Sequence, residues 1–121
     1  MTVLVVDDHP GFRGALESLI RSAADLRLLG SASGGAEAVL MSVHLQPQVV
    51  VMDLAMPGIN GVEATRCLLG QRPRPVIVAL SGSHELIRDA VAAGAAFTVL
   101  KDVDPERLLG LIRAAGRQSA H

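Results

Sequence analysis

The feature that most constrains this chain is an alternation of two kinds of segment. Val3-Leu4-Val5-Val6, Val49-Val50-Val51-Met52 and Val76-Ile77-Val78-Ala79-Leu80 are short apolar runs without a polar break, each ending at a polar residue or a turn. A strand with no polar face must be covered on both sides, which is the condition inside a parallel sheet between helices. Two weaker strands fit Leu26 to Ala32 and Phe97 to Leu100.

The intervening segments carry helical spacing. Phe12, Leu16, Leu19, Ile20 and Ala23 line one face of a first helix, and Ala36, Val39, Leu40 and Val43 one face of a second. A third helix starts at Asn60, a capping residue, with Glu63 at the capping-box position. Leu86, Ile87, Ala90 and Val91 mark a fourth. The fifth opens with Asp104 as cap and Pro105 at its first position, followed by Leu108, Leu109 and Ile112. Gly30, Pro47, the stretch from Gly70 to Pro75, and Gly94 punctuate the pattern. Consecutive βα units joined by right-handed crossovers leave few topologies, and an open doubly wound α/β sheet leads them.

Composition narrows the class. A chain of 121 residues fits one domain over 1–121, with residues 118–121 expected as a frayed tail. Half the residues are apolar, enough to offset chain entropy, so a folded soluble protein is expected. No apolar run approaches the roughly 18 residues of a membrane span. The first residues lack the basic flank of a secretory signal, and the single cysteine, Cys67, excludes an internal disulfide; a cytoplasmic setting is expected. A net charge of −1 with no basic block argues against direct nucleic-acid binding. With two Phe and no Trp or Tyr, a stacking platform is not expected either.

In doubly wound sheets, ligands bind at the carboxyl ends of the strands. Here those ends carry Asp7-Asp8, Asp53, Ser81 and Lys101, so three carboxylates, a hydroxyl and an ammonium converge on one edge. Clustered carboxylates repel, and a hard divalent cation relieves them; Mg²⁺ takes oxygen ligands and keeps several waters. No Cys/His cluster invites zinc. A cation facing Lys101 would hold an anion between two positive charges, as phosphoryl transfer requires. A carboxylate can itself accept the phosphoryl group, and Asp53 is central. The turn that follows it, Leu54-Ala55-Met56-Pro57-Gly58, can aim backbone N–H groups at a phosphate.

Four blocks carry a family resemblance: VVDDHPGFRGALESLI, VVMDLAMPGINGVEATR, VIVALSG and AGAAFTVLKD. Together they resemble response-regulator receiver domains, and the DDHP and MPGINGVEATR stretches are most similar to the NarL/FixJ subfamily. The resemblance spans essentially the whole chain. It implies a flavodoxin-like fold with five parallel strands in the order 2-1-3-4-5, flanked by five helices. It implies that Asp53 takes a phosphoryl group from a phosphohistidine on a sensor histidine kinase, with Mg²⁺ as cofactor. Asp8, Asp53 and the backbone carbonyl of Ala55 would bind Mg²⁺ directly, and Asp7 through a water. Lys101 and Ser81 would contact phosphoryl oxygens, with the N–H groups of Ala55 and Gly82. Movement of Ser81 would reshape the surface of helix 4, strand 5 and helix 5. The chain would catalyse only its own phosphorylation and dephosphorylation.

Two positions depart from the family pattern. Thr98 stands where an aromatic switch residue is usual, and Phe97, one earlier, should point to the opposite face. Asp102 follows the lysine where many members have a cis-proline; a cis bond without proline costs about 2.5–4 kcal/mol.

Blander readings stand beside these. His9 reads as a turn residue before Pro10, Cys67 as partly buried and inert, Met52 as core, and Ser83 as an alternative cap to Ser81. A phosphohydrolase would need a second acid two residues after Asp53, where Ala55 stands. A flavin site would need Ser, Thr or Gly after the first strand rather than Asp-Asp. A degenerate receiver acting as a phosphorylation-independent docking module is the remaining alternative. The oligomeric state stays open, with the helix 4–helix 5 and helix 1–helix 5 faces as the candidate surfaces for a homodimer. Within a longer chain, the resemblance implies a DNA-binding output domain.

Overall fold

A computed structural model describes residues 1–56, 58 and 60–119. Pro57 of the predicted turn and residues 120–121 of the expected tail lie outside the described residues. The elements are β1 (Thr2–Val6), α1 (Pro10–Arg21), β2 (Arg27–Ala32), α2 (Gly35–Leu45) and β3 (Val49–Asp53). Then come α3 (Gly61–Leu69), β4 (Val76–Ser81), α4 (His84–Ala93), β5 (Phe97–Leu100) and α5 (Pro105–Gln118). The strands pair in parallel in the order β2-β1-β3-β4-β5, the expected flavodoxin-like topology.

The continuous apolar runs are explained by two cores. Strand side chains alternate faces, so each run feeds both. Val3, Val5, Val49, Val51, Val78 and Leu80 face α1 and α5, where Leu16, Ile20, Leu108 and Ile112 meet them. Leu4, Val6, Val50, Met52, Ile77 and Ala79 face α2, α3 and α4, against Ala38, Ala64, Leu68 and Ala90. Each fully buried Val, Leu or Ile is worth roughly 1.5–3 kcal/mol of transfer free energy.

The helix starts follow their caps. Asn60 Oδ1 accepts the Glu63 N–H at 2.9 Å, Ser83 Oγ accepts from Leu86, and Asp104 Oδ1 accepts from Glu106. Gly94 ends α4 in the left-handed region with φ +110°, which glycine adopts at little steric cost.

Three expectations about buried faces need correction. In α2 the buried residues are Gly35, Ala38 and Ser42, whereas Leu40 is 65 % and Val43 54 % exposed. Small residues let α2 approach closely. Met41 also lies over Gly30 of β2, where a Cβ would stand 2.8 Å from its Cε. Together these contacts turn the Leu40 edge outward. In α4 Ala90 is buried and Leu86 and Ile87 pack partly, but Val91 is 57 % exposed. Cys67 is exposed rather than partly buried, because α3 buries Val62, Ala64, Thr65 and Leu68 and leaves Cys67 on its outer side.

One contact ties α3 to the end of β3. Gly61 donates its N–H to Leu54 O at 3.0 Å, and a Cβ at Gly61 would lie 2.4 Å from Leu54 Cα and 2.5 Å from Asp53 O. Those are backbone atoms, so they cannot swing aside. Gly61→Ala is expected to destabilise the fold by roughly 1–3 kcal/mol, read as a lower urea midpoint. Leu40→Gln is expected to leave the unfolding free energy from the same titration within about 0.5 kcal/mol of the parent; a loss of core-truncation size would contradict the outward orientation of α2.

Candidate functional site

Strand parity builds this site. Asp7, Asp53 and Lys101 stand two residues after Val5, Val51 and Val99, all of which face α1 and α5. The ladder runs just far enough to hold them. Asp7 donates its N–H to Ala32 O at 3.0 Å, Asp53 ends β3 opposite Leu80, and Lys101 donates its N–H to Ser81 O at 3.1 Å. The three side chains therefore emerge on one face of one edge.

They meet there. Lys101 Nζ lies 3.3 Å from Asp53 Oδ2 and 3.7 Å from Asp7 Oδ2. Asp7 and Asp53 are fully buried, and Asp8 is partly so. The other Asp53 oxygen, Oδ1, accepts the Ala55 N–H at 3.2 Å. Asp7 Oδ1 accepts the His9 N–H at 2.8 Å, which fixes the exit from β1. Asp7 Oδ2, Asp8 Oδ1 and Asp53 Oδ2 are buried and accept no hydrogen bond; Lys101 lies against the first and third, and His9 Nδ1 against Asp8 Oδ1.

Three neighbours of the cluster were not read from the sequence as part of it. His9 is the N-cap of α1, and its Nδ1 lies 3.0 Å from Asp8 Oδ1, 3.3 Å from Asp7 Oδ1 and 3.7 Å from Asp53 Oδ2. Its position directly after the acidic pair was the available signal. Arg13, one turn into α1, donates from a guanidinium nitrogen to Asp7 O at 3.0 Å. Phe12 presents its ring to Lys101, whose Nζ stands 4.7 Å from the ring centroid, a cation–π contact that holds the lysine over the site. Sequence periodicity reads Phe12 only as core.

The remaining predicted residues line the rim. Ser81 is buried, and its Oγ accepts the Ser83 N–H at 2.9 Å. Capping α4 falls to Ser83, not Ser81. Ala55 and Gly82 are exposed, and Gly82 borders a shallow hollow of about 330 Å³ with His84, Lys101 and Asp102. Thr98 pairs with Ala79, whose side chain faces α2–α4, whereas Phe97 packs into the α1/α5 core. Among the described residues the cis bond is Arg72–Pro73, so Lys101–Asp102 is trans.

Burial, and next the repulsion from Asp7, holds the Asp53 carboxyl above the ordinary carboxylate range; the Ala55 N–H and Lys101 offset only part of this. Asp7, Asp8, His9 and Asp53 each offer a ligand atom, and these atoms lie within 4.8 Å of one another. The unsatisfied buried oxygens and this spacing fit a divalent cation.

A folded pKa above the unfolded one means that stability is present at low pH and lost as pH rises through the folded value. Asp53→Asn is therefore expected to raise the melting temperature at pH 7.5 in metal-free buffer, by about 4 °C for each kcal/mol relieved. The difference should shrink as the pH falls toward about 4. An unchanged or lower melting temperature at pH 7.5 would show that the Asp53 charge is not an uncompensated load.

Comparison with known proteins follows the same lines. The family model for the response regulator receiver domain matches residues 3–113. The nitrate/nitrite response regulator protein NarL of Escherichia coli K12 is 35% identical over 116 residues, which cover 94% of this chain and 54% of that protein. The transcriptional regulatory protein LiaR of Bacillus subtilis is 33% identical over 117 residues, covering 95% of this chain and 56% of that protein. The chain thus spans about half the length of these curated relatives. A two-component response regulator of the LuxR family from Aurantimonas superposes with a TM-score of 0.90 at 30% identity, covering 98% of this chain and 86% of that one. With this topology and this acidic edge, the chain belongs to the response-regulator receiver domain family, in its NarL/FixJ-like branch.

Proposed function

We propose that this receiver is a working phosphoacceptor, with Asp53 taking a phosphoryl group from a phosphohistidine on a sensor histidine kinase. A single observation carries the reading. The buried Asp53 carboxylate has Lys101 Nζ 3.3 Å from Oδ2 and offers, with Asp7, Asp8 and His9, ligand atoms within 4.8 Å of one another. A carboxylate so placed is held beside a cation that does not fully neutralise it, and it is ready to accept an electrophile.

In this step a bond forms between an Asp53 carboxylate oxygen and phosphorus. The bond from phosphorus to the imidazole nitrogen breaks, and its electron pair returns to the ring. Asp8, Asp53 and the Ala55 carbonyl would hold Mg²⁺, with Asp7 acting through a water. When bound, the ion supplies positive charge to the oxygens of the transferring group. Lys101 pairs with those oxygens from the opposite side. The N–H groups of Ala55 and Gly82 complete the cage, the Ala55 donor leaving Asp53 Oδ1, where it rests at 3.2 Å.

Release of Ser81 Oγ from the Ser83 N–H would let it follow the phosphoryl group and pull the loop into α4. The signal then spreads over α4, β5 and α5 without the usual aromatic, since Thr98 occupies that position. We assign no enzymatic activity beyond the chain's own phosphorylation and dephosphorylation. As the chain covers about half of its NarL and LiaR relatives, control of an attached DNA-binding domain, and dimerisation, belong to the same proposal.

Acetyl phosphate with Mg²⁺ is expected to add one phosphoryl group to the chain, seen by intact mass. Chelation or Asp53→Asn should abolish it, and Lys101→Ala should slow it at least tenfold, within the range for loss of one electrostatic clamp. Labelling that survives Asp53→Asn would sink the assignment. Absence of labelling in the parent would leave a docking module.

A further inference from the structure

The Asp7/Asp8/Asp53 cluster differs from an all-oxygen magnesium site in one respect, which is His9. We infer that His9 Nδ1 is a nitrogen ligand of this site and shifts its preference from Mg²⁺ toward borderline first-row divalent ions such as Co²⁺ and Zn²⁺. This rests on the cation-binding reading above and refines it.

The geometry supports a shared ion. Two donors bound to one ion at about 2.1 Å can be at most about 4.2 Å apart. The His9 Nδ1 distances to Asp8 Oδ1, Asp7 Oδ1 and Asp53 Oδ2 are 3.0, 3.3 and 3.7 Å, inside that limit, whereas the four donors as a set lie within 4.8 Å of one another, so the carboxylates would close in slightly on a shared ion. The Asp8 and Asp53 oxygens among these are buried and accept no hydrogen bond, as is the second Asp7 oxygen. Lys101 reaches Asp7 Oδ2 and Asp53 Oδ2 but not Asp8 Oδ1, whose neighbour is His9 Nδ1 itself, a ring nitrogen that also shares a hydrogen bond with Asp7 Oδ1 and would give it up to bind an ion. His9 is held by its own backbone, through the N–H bond to Asp7 Oδ1 and the start of α1. Its ring is 62 % exposed, so ligand exchange can reach it.

The chemistry then selects the ion. Mg²⁺ takes oxygen donors almost exclusively, so the imidazole adds little for it. Imidazole binds Zn²⁺ and the later first-row ions well, and affinity at nitrogen-containing sites climbs along that row. A site with three carboxylates and one imidazole should accept Mg²⁺ through its oxygens alone and gain a further ligand for Co²⁺ or Zn²⁺.

The test is calorimetric titration of the purified chain with Mg²⁺ and with Co²⁺ at one fixed pH, for the parent, His9→Ala and His9→Asn. Co²⁺ affinity is expected to fall at least tenfold in both variants while Mg²⁺ affinity changes less than threefold. Proton NMR of the Co²⁺-loaded parent should show hyperfine-shifted imidazole signals that vanish in both His9 variants. His84→Ala controls for the histidine that borders the Lys101 hollow, and the signals should survive it. Parallel losses for both ions, an unshifted histidine spectrum, or signals removed by His84→Ala would overturn the role of His9 alone. Binding of both ions that is indifferent to Asp53→Asn would overturn the cation site itself.

Discussion

Two buried carboxylates share one ammonium, and the rest of the edge is arranged around that shortage. Asp7 and Asp53 are fully buried, and Lys101 reaches one oxygen of each. Taking two charges out of water costs several kcal/mol per ion unless partners compensate. Here they do so only in part, and Asp53 remains above the usual carboxylate range. A structure that keeps such an imbalance at the end of its sheet holds negative charge that a bound cation would relieve.

The sheet makes the imbalance possible. Parallel strands in register end side by side, so polar residues that follow different strands become neighbours although Asp7 and Lys101 are far apart in sequence. The layer beneath is apolar and close-packed, which keeps water from dispersing the charges. The same two-residue step that carries Val5, Val51 and Val99 into the α1/α5 core carries Asp7, Asp53 and Lys101 out above it. Phe12 then does two jobs, packing against that core and facing the lysine.

Misread positions share a cause. α2 is apolar on more than one side, so periodicity alone does not say which stripe is buried, and the larger residues Leu40 and Val43 draw the eye. The choice is made by Gly30 and Met41, on different elements, and by small residues that permit closeness. Cys67 and Val91 follow the same rule, because the rotation of a helix is decided by what lies under it. His9 shows the converse. Its place after Asp7-Asp8 was visible, but its ring among three carboxylates depends on how the chain leaves β1 and enters α1.

The one-dimensional pattern determined the element order, the caps at Asn60 and Asp104, and the identity of the edge where Asp7, Asp8, Asp53, Ser81 and Lys101 gather. These follow from local backbone preference and from the period-two alternation, both of which are written residue by residue. Tertiary structure alone decided which face of α2 and α4 is buried, that Phe12, Arg13 and His9 brace the acidic cluster, and that Ser81 Oγ is held by Ser83. Such contacts join side chains across the gap between elements. Their distances depend on how each helix is turned and how closely it packs, which no local run of residues records.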